Sequence, residues 1–188
     1  MNALEKRVRR HVRAPEHEFF AAYPPGFADI AAREAAVLGV PADVSPEGVR
    51  FTGKLETLYR SFGALRGASR IMMRLARFRA ENFRELVRRT KEVPWELYLP
   101  QGCSREYRVS CSRSRLYHSD AVAERVEEAV GGAMGSGTGA VQRIMVRLED
   151  DVCTLSLDAS GDALYKRGWK TMINDAPVRE TIAAMLLM

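Results

Sequence analysis

Apolar residues recur along the first half of the chain with two different periods, and each period predicts a type of element. Apolar side chains three or four positions apart predict helices with one buried face, whereas strict alternation predicts half-buried strands. The predicted order is strand, helix, strand, helix, strand, at Glu18–Tyr23, Phe27–Leu38, Val49–Phe51, Leu55–Leu65 and Arg70–Arg79. Short connections between these elements favour a small α+β unit with its helices on one face of a sheet.

The second half repeats both patterns in another order. The predicted elements are a helix at Asn82–Val93, a strand at Tyr107–Cys111, a helix from Ser119 or Asp120 to Val130, and strands at Gln142–Leu148 and Val152–Leu157. Asp150 and Asp151 separate the last two strands, which predicts a hairpin. Residues 1–15 contain several arginines and end at a proline, and we interpret them as a loose basic leader.

Positive charge is concentrated in the middle of the chain. The 188 residues carry a net charge of +5. Between Ala64 and Arg115, thirteen arginines and lysines face five glutamates, so this segment is +8 and the remainder −3. A basic segment in an otherwise nearly neutral chain predicts contact with a polyanion, although a solvated basic face is the alternative.

The cysteines argue against two classes of protein. Cys103, Cys111 and Cys153 are odd in number and widely spaced, which is not the pattern of a disulfide framework or of a zinc site.

The sequence also lacks the patterns of a secretory signal and of a membrane helix. The N-terminal residues have no apolar run behind their arginines, and no stretch reaches the length of a membrane helix. We therefore expect reduced thiols, a cytoplasmic location and no membrane partner.

The stretch Arg105–Val130 contains the densest set of candidate binding groups. It is interpreted as a strand, a basic turn rich in serine, and an amphipathic helix. Guanidinium groups, hydroxyls and the free amides of a helix start bind phosphate oxygens well. With two cations from a later turn, the predicted RNA-binding residues are Arg108, Ser112, Arg113, Ser114, Arg115, His118, Lys166 and Arg167. No catalytic residue and no metal ligand is predicted.

Glycines at 131–139 resemble a nucleotide-binding loop only in composition. The run GSGTG at 135–139 is similar to the cofactor loop of methyltransferases that use S-adenosylmethionine. Such a loop follows a strand and opens a helix, because the helix amides meet the ligand. Here it follows a predicted helix and precedes a predicted strand. We expect a flexible connector without cofactor.

Several segments resemble one family when they are taken together. Ser112–Val126, SRSRLYHSDAVAERV, resembles the core motif of the THUMP domain, an RNA-binding domain of bacterial guanine methyltransferases that modify large-subunit ribosomal RNA. Phe19–Val40 and Val49–Arg79 resemble the ferredoxin-like subdomain that precedes it, Leu157–Lys170 its exit, and Ala176–Leu187 the first helix of the catalytic domain.

This resemblance implies an α+β fold, with a ferredoxin-like N-terminal unit followed by a THUMP α/β unit. The implied domains are a leader at 1–15, a ferredoxin-like subdomain at 16–80, a THUMP domain at 81–170, and at 171–188 a linker with the start of a methyltransferase domain. The family's DPxCGSGT and NPPY motifs do not occur in the sequence. We therefore expect that this chain alone is not an enzyme, and that S-adenosylmethionine binds only a catalytic domain absent from it.

The expected function is to position structured RNA with unpaired nucleotides, most simply ribosomal RNA, for a catalytic domain in cis or in trans. Three alternatives stay open. The chain could belong to a transfer-RNA-modifying enzyme, since these also carry THUMP domains. It could be a basic interaction domain without specific RNA function. It could also be a self-contained enzyme, for which His118 with Asp120, or Cys111, would be the candidate groups.

Overall fold

The computed structural model describes residues 2–13, 16–134, 139–168 and 178–188. Residues 135–138 of the predicted glycine-rich loop, residues 169–170 of the predicted THUMP range and residues 171–177 of the predicted linker segment lie outside these residues. In chain order the helices and strands are α1 (Ala3–Val12), β1 (His17–Ala22), α2 (Ala28–Val37), β2 (Ala42–Ser45), β3 (Gly48–Gly53), α3 (Leu55–Ala64), β4 (Arg70–Arg79), α4 (Phe83–Lys91), β5 (Ser104–Ser112), α5 (Ser119–Met134), β6 (Val141–Glu149), β7 (Val152–Asp158) and α6 (Glu180–Leu186).

These elements form two compact units. The first unit consists of Arg13–Met73 and Ala159–Met188, and the second of Met1–Val12 and Arg74–Asp158. Strand β4 contributes residues 70–73 to the first unit and residues 74–79 to the second. Of the predicted strands, β4 has the bounds read from the sequence, β1 is shifted by one residue, and the others are longer than predicted.

The first unit has the βαββαβ order of a ferredoxin-like fold. Its strands lie in the order β2-β3-β1-β4, and β1 is antiparallel to both β3 and β4. Phe19 on β1 lies opposite Phe51 on β3, with ring centroids 5.3 Å apart and both side chains almost fully buried. The predicted α+β class and ferredoxin-like unit are confirmed.

Strand β2 is absent from the prediction, which has no element between the helix Phe27–Leu38 and the strand Val49–Phe51. It pairs antiparallel with β3 at the edge of the first unit's strands, where its residues are exposed or half-buried. An edge strand with no buried face has no apolar alternation, so hydrophobic periodicity cannot reveal it.

The second unit has the strand order β4-β7-β6-β5. Strands β5 and β6 are parallel and are joined through α5, while β6 and β7 form the predicted antiparallel hairpin. Asp150 and Asp151 have φ angles of 50° and 61°, as a two-residue type I′ turn requires. Trp95, which is fully buried, donates from its indole nitrogen to the Thr90 carbonyl oxygen at 2.9 Å and anchors the chain after α4.

The predicted loose leader is wrong, because residues 3–12 form helix α1 in the second unit. The helix packs on the 3₁₀ turn Trp95–Leu97. Arg7 pairs with Glu96 at 2.7 Å, and His11 meets the Tyr98 ring edge to face at 4.7 Å. Asn2 and Glu5 cap the start of α1 with two reciprocal hydrogen bonds, at 2.9 and 2.7 Å. Since none of its residues is fully buried, the sequence offers no strong core signal for this helix.

The chain returns to the first unit after β7. Ala159 donates its backbone N–H to the Ile71 carbonyl oxygen at 3.0 Å, and Leu164 donates to that of Ser69 at 2.9 Å. Helix α6, which was predicted to begin a further domain, packs in the first unit with Met185 buried against Gly67. The compact units thus have other bounds than the predicted ranges 16–80 and 81–170, because residues 159–168 pair with β4 and the segment before it.

Candidate nucleic-acid interface

The serine-rich turn after β5 is held in place by the hairpin turn between β6 and β7. The Ser114 hydroxyl donates to the Ser112 carbonyl oxygen at 2.9 Å and accepts from the Asp151 N–H at 3.1 Å. Asp151 in turn accepts from the backbone N–H of Arg115 at 2.7 Å. The two turns therefore form one bonded surface, which we call the turn surface: residues 112–118 with Glu149, Asp150 and Asp151.

The Arg113 guanidinium donates three hydrogen bonds to carboxylate oxygens. Its guanidinium donates to both oxygens of Asp150, at 2.8 and 3.1 Å, and to Glu149 at 2.7 Å. These bonds raise the pKa of Arg113, while the bond from Arg113 lowers the pKa of Asp150. The backbone of Arg113 has φ 47°, in the left-handed region that few L residues adopt. A phosphate group at this position would therefore have to compete with two carboxylates.

Arg115 is also paired, so the turn surface is not a cluster of unopposed cations. Arg115 bonds to Glu81 and lies 3.8 Å from Asp151. Neighbouring Arg79 and Arg147 pair with Glu81 and Glu149 respectively. The four arginines thus face four carboxylates, and formal charges balance. The sequence could not show the pairing of Arg113 and Arg115, because their acidic partners lie more than 30 positions away.

The remaining predicted groups of this region are exposed. Arg108 lies on the outer face of β5 and pairs with Glu106 at 2.5 Å, with 64% of its side chain exposed. Ser112, at the end of β5, and His118, before α5, are exposed, and the His118 carbonyl accepts the Val122 N–H at 3.0 Å to begin the helix. The structure thus brings six of the eight predicted residues onto one strand and the turn that follows it.

Tyr117 is a candidate binding residue that sequence reasoning missed. Its side chain is 69% exposed between buried Leu116 and exposed His118, and the rings of Tyr117 and His118 lie 4.1 Å apart. An exposed aromatic pair beside arginines is a surface on which an unpaired base can stack. The position of Tyr117 inside the motif SRSRLYHSD was the available signal, since a tyrosine among polar residues seldom serves a core.

Lys166 and Arg167 belong to the first unit. Lys166 is exposed. The Arg167 guanidinium bonds to the Phe62 carbonyl oxygen and donates to that of Leu65 at 2.8 Å, and its backbone N–H donates to Glu180 at 3.1 Å. Burial lowers the pKa of Arg167, opposed by nearby Glu34. These contacts fasten Arg167 to the end of α3, so the structure gives this residue a supporting role.

Metal ligands and thiols are two kinds of reactive group that the described residues allow us to assess. Among the described residues, no group of three histidine, cysteine or acidic side chains is placed to hold a metal ion. Burial raises the pKa of the Cys111 thiol, and it raises that of Cys153 to about 12, so neither is poised as a thiolate. No helix within the described ranges is long and apolar enough to cross a membrane.

The described residues beside the glycine-rich loop lie at the opposite end of a helix from a cofactor loop. Gly131 and Gly132 lie in the last turns of α5, so the loop follows the carbonyl end of a helix, whereas a cofactor loop opens a helix and offers its free amides. On the other side, Gly139 donates to the Gly102 carbonyl oxygen at 2.9 Å, and a Cβ at Gly139 would lie 2.8 Å from that atom. This close approach of the two backbone segments is sufficient to explain why position 139 is a glycine, without any cofactor. The expected absence of cofactor binding stays a prediction.

Comparison with known proteins identifies both units. Residues 18–72 match the RlmL ferredoxin-like domain, and residues 80–158 match the THUMP domain. The ribosomal RNA large subunit methyltransferase K/L of Syntrophotalea carbinolica is 33% identical over 91% of this chain, which spans 25% of that protein. A predicted N6-adenine-specific DNA methylase from Listeria monocytogenes superposes with a TM-score of 0.82 at 30% identity, over 94% of this chain and 49% of its own. SMU.472, described as a methyltransferase complexed with SAH, gives a TM-score of 0.82 at 26% identity, over 93% and 48% of the two chains.

The expectation that this chain is not an enzyme is contradicted by these comparisons. The three relatives are described as methyltransferases or methylases, and their similarity extends over more than nine tenths of the chain. The chain spans a quarter to a half of their lengths. The expectation relied on the absence of two motifs. These motifs belong to a catalytic domain, so their absence does not decide to which class of protein the chain is related.

The order of the two matched domains completes the assignment. A ferredoxin-like unit of the RlmL type is followed directly by a THUMP unit, and both match at the positions of the two sets of strands described above. The chain therefore contains an RlmL ferredoxin-like domain followed by a THUMP domain, and across this pair it is similar to the ribosomal RNA large subunit methyltransferase K/L proteins.

Proposed function

We propose that this chain acts as part of an RNA methyltransferase of the cytoplasm and that its THUMP unit holds structured ribosomal RNA. The bound RNA would be presented to a catalytic domain, in cis or in trans, for methylation of a guanine. Support comes from the family, whose K/L members are named for large-subunit ribosomal RNA, and from the basic middle of the chain.

The observation that carries this proposal is the exposed Tyr117–His118 ring pair beside Arg113 and Arg115. Sequence-tolerant recognition of unpaired nucleotides depends on aromatic rings that stack with bases and on cations that contact phosphates. The turn surface offers both types of group on one rigid support. The Ser112 hydroxyl and His118 are further hydrogen-bonding groups for phosphate or ribose oxygens.

Balanced charge suits this role. Since the carboxylates of Glu149 and Asp150 oppose Arg113, a duplex held only by its phosphates gains little at the turn surface. A nucleotide that stacks on Tyr117 gains contact area as well. The turn surface should therefore favour loops and unpaired ends over blunt duplex.

The test is titration of the full chain into a fluorescent RNA hairpin with an unpaired loop, taken from large-subunit ribosomal RNA. Tyr117→Ala should weaken binding by roughly 5- to 100-fold, because one stacked base contributes about 1–3 kcal/mol. Tyr117→Phe should retain most of the affinity. Tyr59→Ala is the matched control, since Tyr59 is 72% exposed on α3 of the other unit.

Equal affinities for Tyr117→Ala and Tyr59→Ala would reject the stacking surface. No measurable binding of the wild-type chain to any structured RNA would reject RNA binding itself. Stronger binding to transfer RNA than to the ribosomal hairpin would support the alternative that the chain belongs to a transfer-RNA-modifying enzyme.

A further inference from the structure

Helices α4 and α5 of the second unit border an open groove of about 500 Å³. Phe83 and Val87 supply its apolar floor, and both are half-buried. Arg84, Arg88 and Lys91 line one wall and are exposed. They lie at positions i, i+4 and i+7 of α4, so they share a single helix face and extend over about 10 Å along its axis.

These three cations have no carboxylate partner among the described residues. The opposite wall contributes Arg125 and Glu128, which pair with each other at 2.9 Å. Directly after α4, Glu92 pairs with Arg89, and on α4 the Glu85 carboxylate accepts the Glu81 N–H at 3.0 Å. The groove walls therefore carry a net charge of +3, in contrast to the turn surface.

Helix stability does not explain this arrangement. Asn82 caps α4, and its side chain accepts the Glu85 N–H at 3.0 Å. Arg84 lies in the first turn, where the positive end of the helix dipole disfavours a cation. Like charges four positions apart, as at Arg84 and Arg88, also destabilise a helix slightly. Only Arg88 and Lys91, in the last turn, are placed favourably for the dipole.

We propose that this groove, here called the α4–α5 groove, is a second RNA contact that binds a stretch of sugar–phosphate backbone. The inference rests on the proposed function, since it assigns a further surface to the same RNA. Arg84, Arg88 and Lys91 contact successive phosphates, and Phe83 and Val87 contact the apolar face of a ribose or base. The contact is independent of base sequence, because cations on a helix face read charge and spacing.

The experiment compares two triple variants of the full chain that remove the same charge. The test variant is Arg84→Gln, Arg88→Gln and Lys91→Gln. The control is Lys6→Gln, Arg9→Gln and Arg10→Gln on α1, where all three side chains are exposed on another helix of the same unit. Affinity for the hairpin RNA with a single-stranded tail is measured at several salt concentrations, with circular dichroism as the check on folding.

The groove triple is expected to lose at least tenfold in affinity and to flatten the slope of log affinity against log salt by about two units, at roughly 0.7 per phosphate contact. The α1 triple is expected to change both much less. Equal losses for the two triples would overturn the groove while leaving RNA binding intact. Absence of RNA binding by the wild-type chain would overturn both proposals. If polyglutamate displaces the tailed RNA from the wild type but not from the groove triple, an acidic protein segment is the better occupant.

Discussion

The turn surface and the α4–α5 groove contain similar numbers of cations, but the cations of the turn surface are paired with carboxylates and three of those in the groove have no such partner among the described residues. At the turn, Arg113 and Arg115 are bound to carboxylates from Glu81 and from the β6–β7 hairpin. In the groove, Arg84, Arg88 and Lys91 face solvent, and their acidic neighbours are paired elsewhere. A count of arginines therefore does not locate a phosphate site. The position of the acids decides which cations are available to a ligand.

This comparison predicts that the turn surface gains most when its acids are neutralised. Glu149→Gln with Asp150→Asn releases Arg113, and asparagine tolerates the left-handed backbone at position 150. RNA affinity should rise by roughly tenfold at about 0.1 M salt, with a steeper salt dependence. Titration with hairpin RNA measures the change.

The control for that variant is Glu56→Gln with Asp29→Asn, which removes equal charge from exposed positions of the first unit. If both double variants gain equally, net charge alone governs binding and the local pairing of Arg113 is irrelevant.

Removing the turn arginines should have a smaller effect than removing the groove cations. Arg113→Ala with Arg115→Ala should reduce RNA affinity several-fold and flatten the salt slope by less than two units, because each arginine already shares its charge with acids. A loss larger than that of the groove triple would reverse the ranking of the two surfaces.

The sequence was informative wherever a residue's own neighbours decide the outcome. Alternation located β4, the paired aspartates located the hairpin, and the serine before Asp120 located the start of α5. It failed where partners are distant. Arg113 meets acids 36 and 37 positions away, and Arg167 bonds to carbonyls of a helix end more than 100 positions earlier. The sequence predicted the same RNA-binding role for both arginines, and only tertiary packing shows that Arg113 bonds to surface carboxylates whereas Arg167 bonds to backbone carbonyls.

Asp151 links the two turns, so its loss should reduce stability more than affinity. Asp151→Ala removes the acceptor for the Arg115 N–H and places alanine at φ 61°. A cost of about 1–3 kcal/mol is expected for the lost bond and the strained backbone together. A chain of this size should then melt about 2–10 °C lower by differential scanning calorimetry. Asp151→Asn, which retains an acceptor and tolerates this φ, should melt near the wild type; an equal drop in both variants would show that the charge matters and the geometry does not.

The smallest expected effect concerns acid. Because the bond from Arg113 lowers the pKa of Asp150 in the folded chain, the pair stabilises the fold above the unfolded pKa of an aspartate, about 4, and this stabilisation is lost as pH falls through the folded value. Asp150→Asn should therefore reduce the difference between the free energies of unfolding at pH 7 and at pH 3. Urea denaturation of the wild type and the variant at both pH values measures this difference. An unchanged difference would mean that the pair is too exposed to contribute.

The return of the chain at Ala159 has a consequence for the order of synthesis. The backbone bonds from Ala159 to Ile71 and from Leu164 to Ser69 join residues about 90 positions apart within one small unit. During translation, residues 16–73 leave the ribosome before residues 74–158, and they lack these partners until those residues have followed. Because such long closures slow folding, the N-terminal strands would wait, exposed, for the segment that completes them. The ferredoxin-like unit is thus completed only after residues 74–158 have been made.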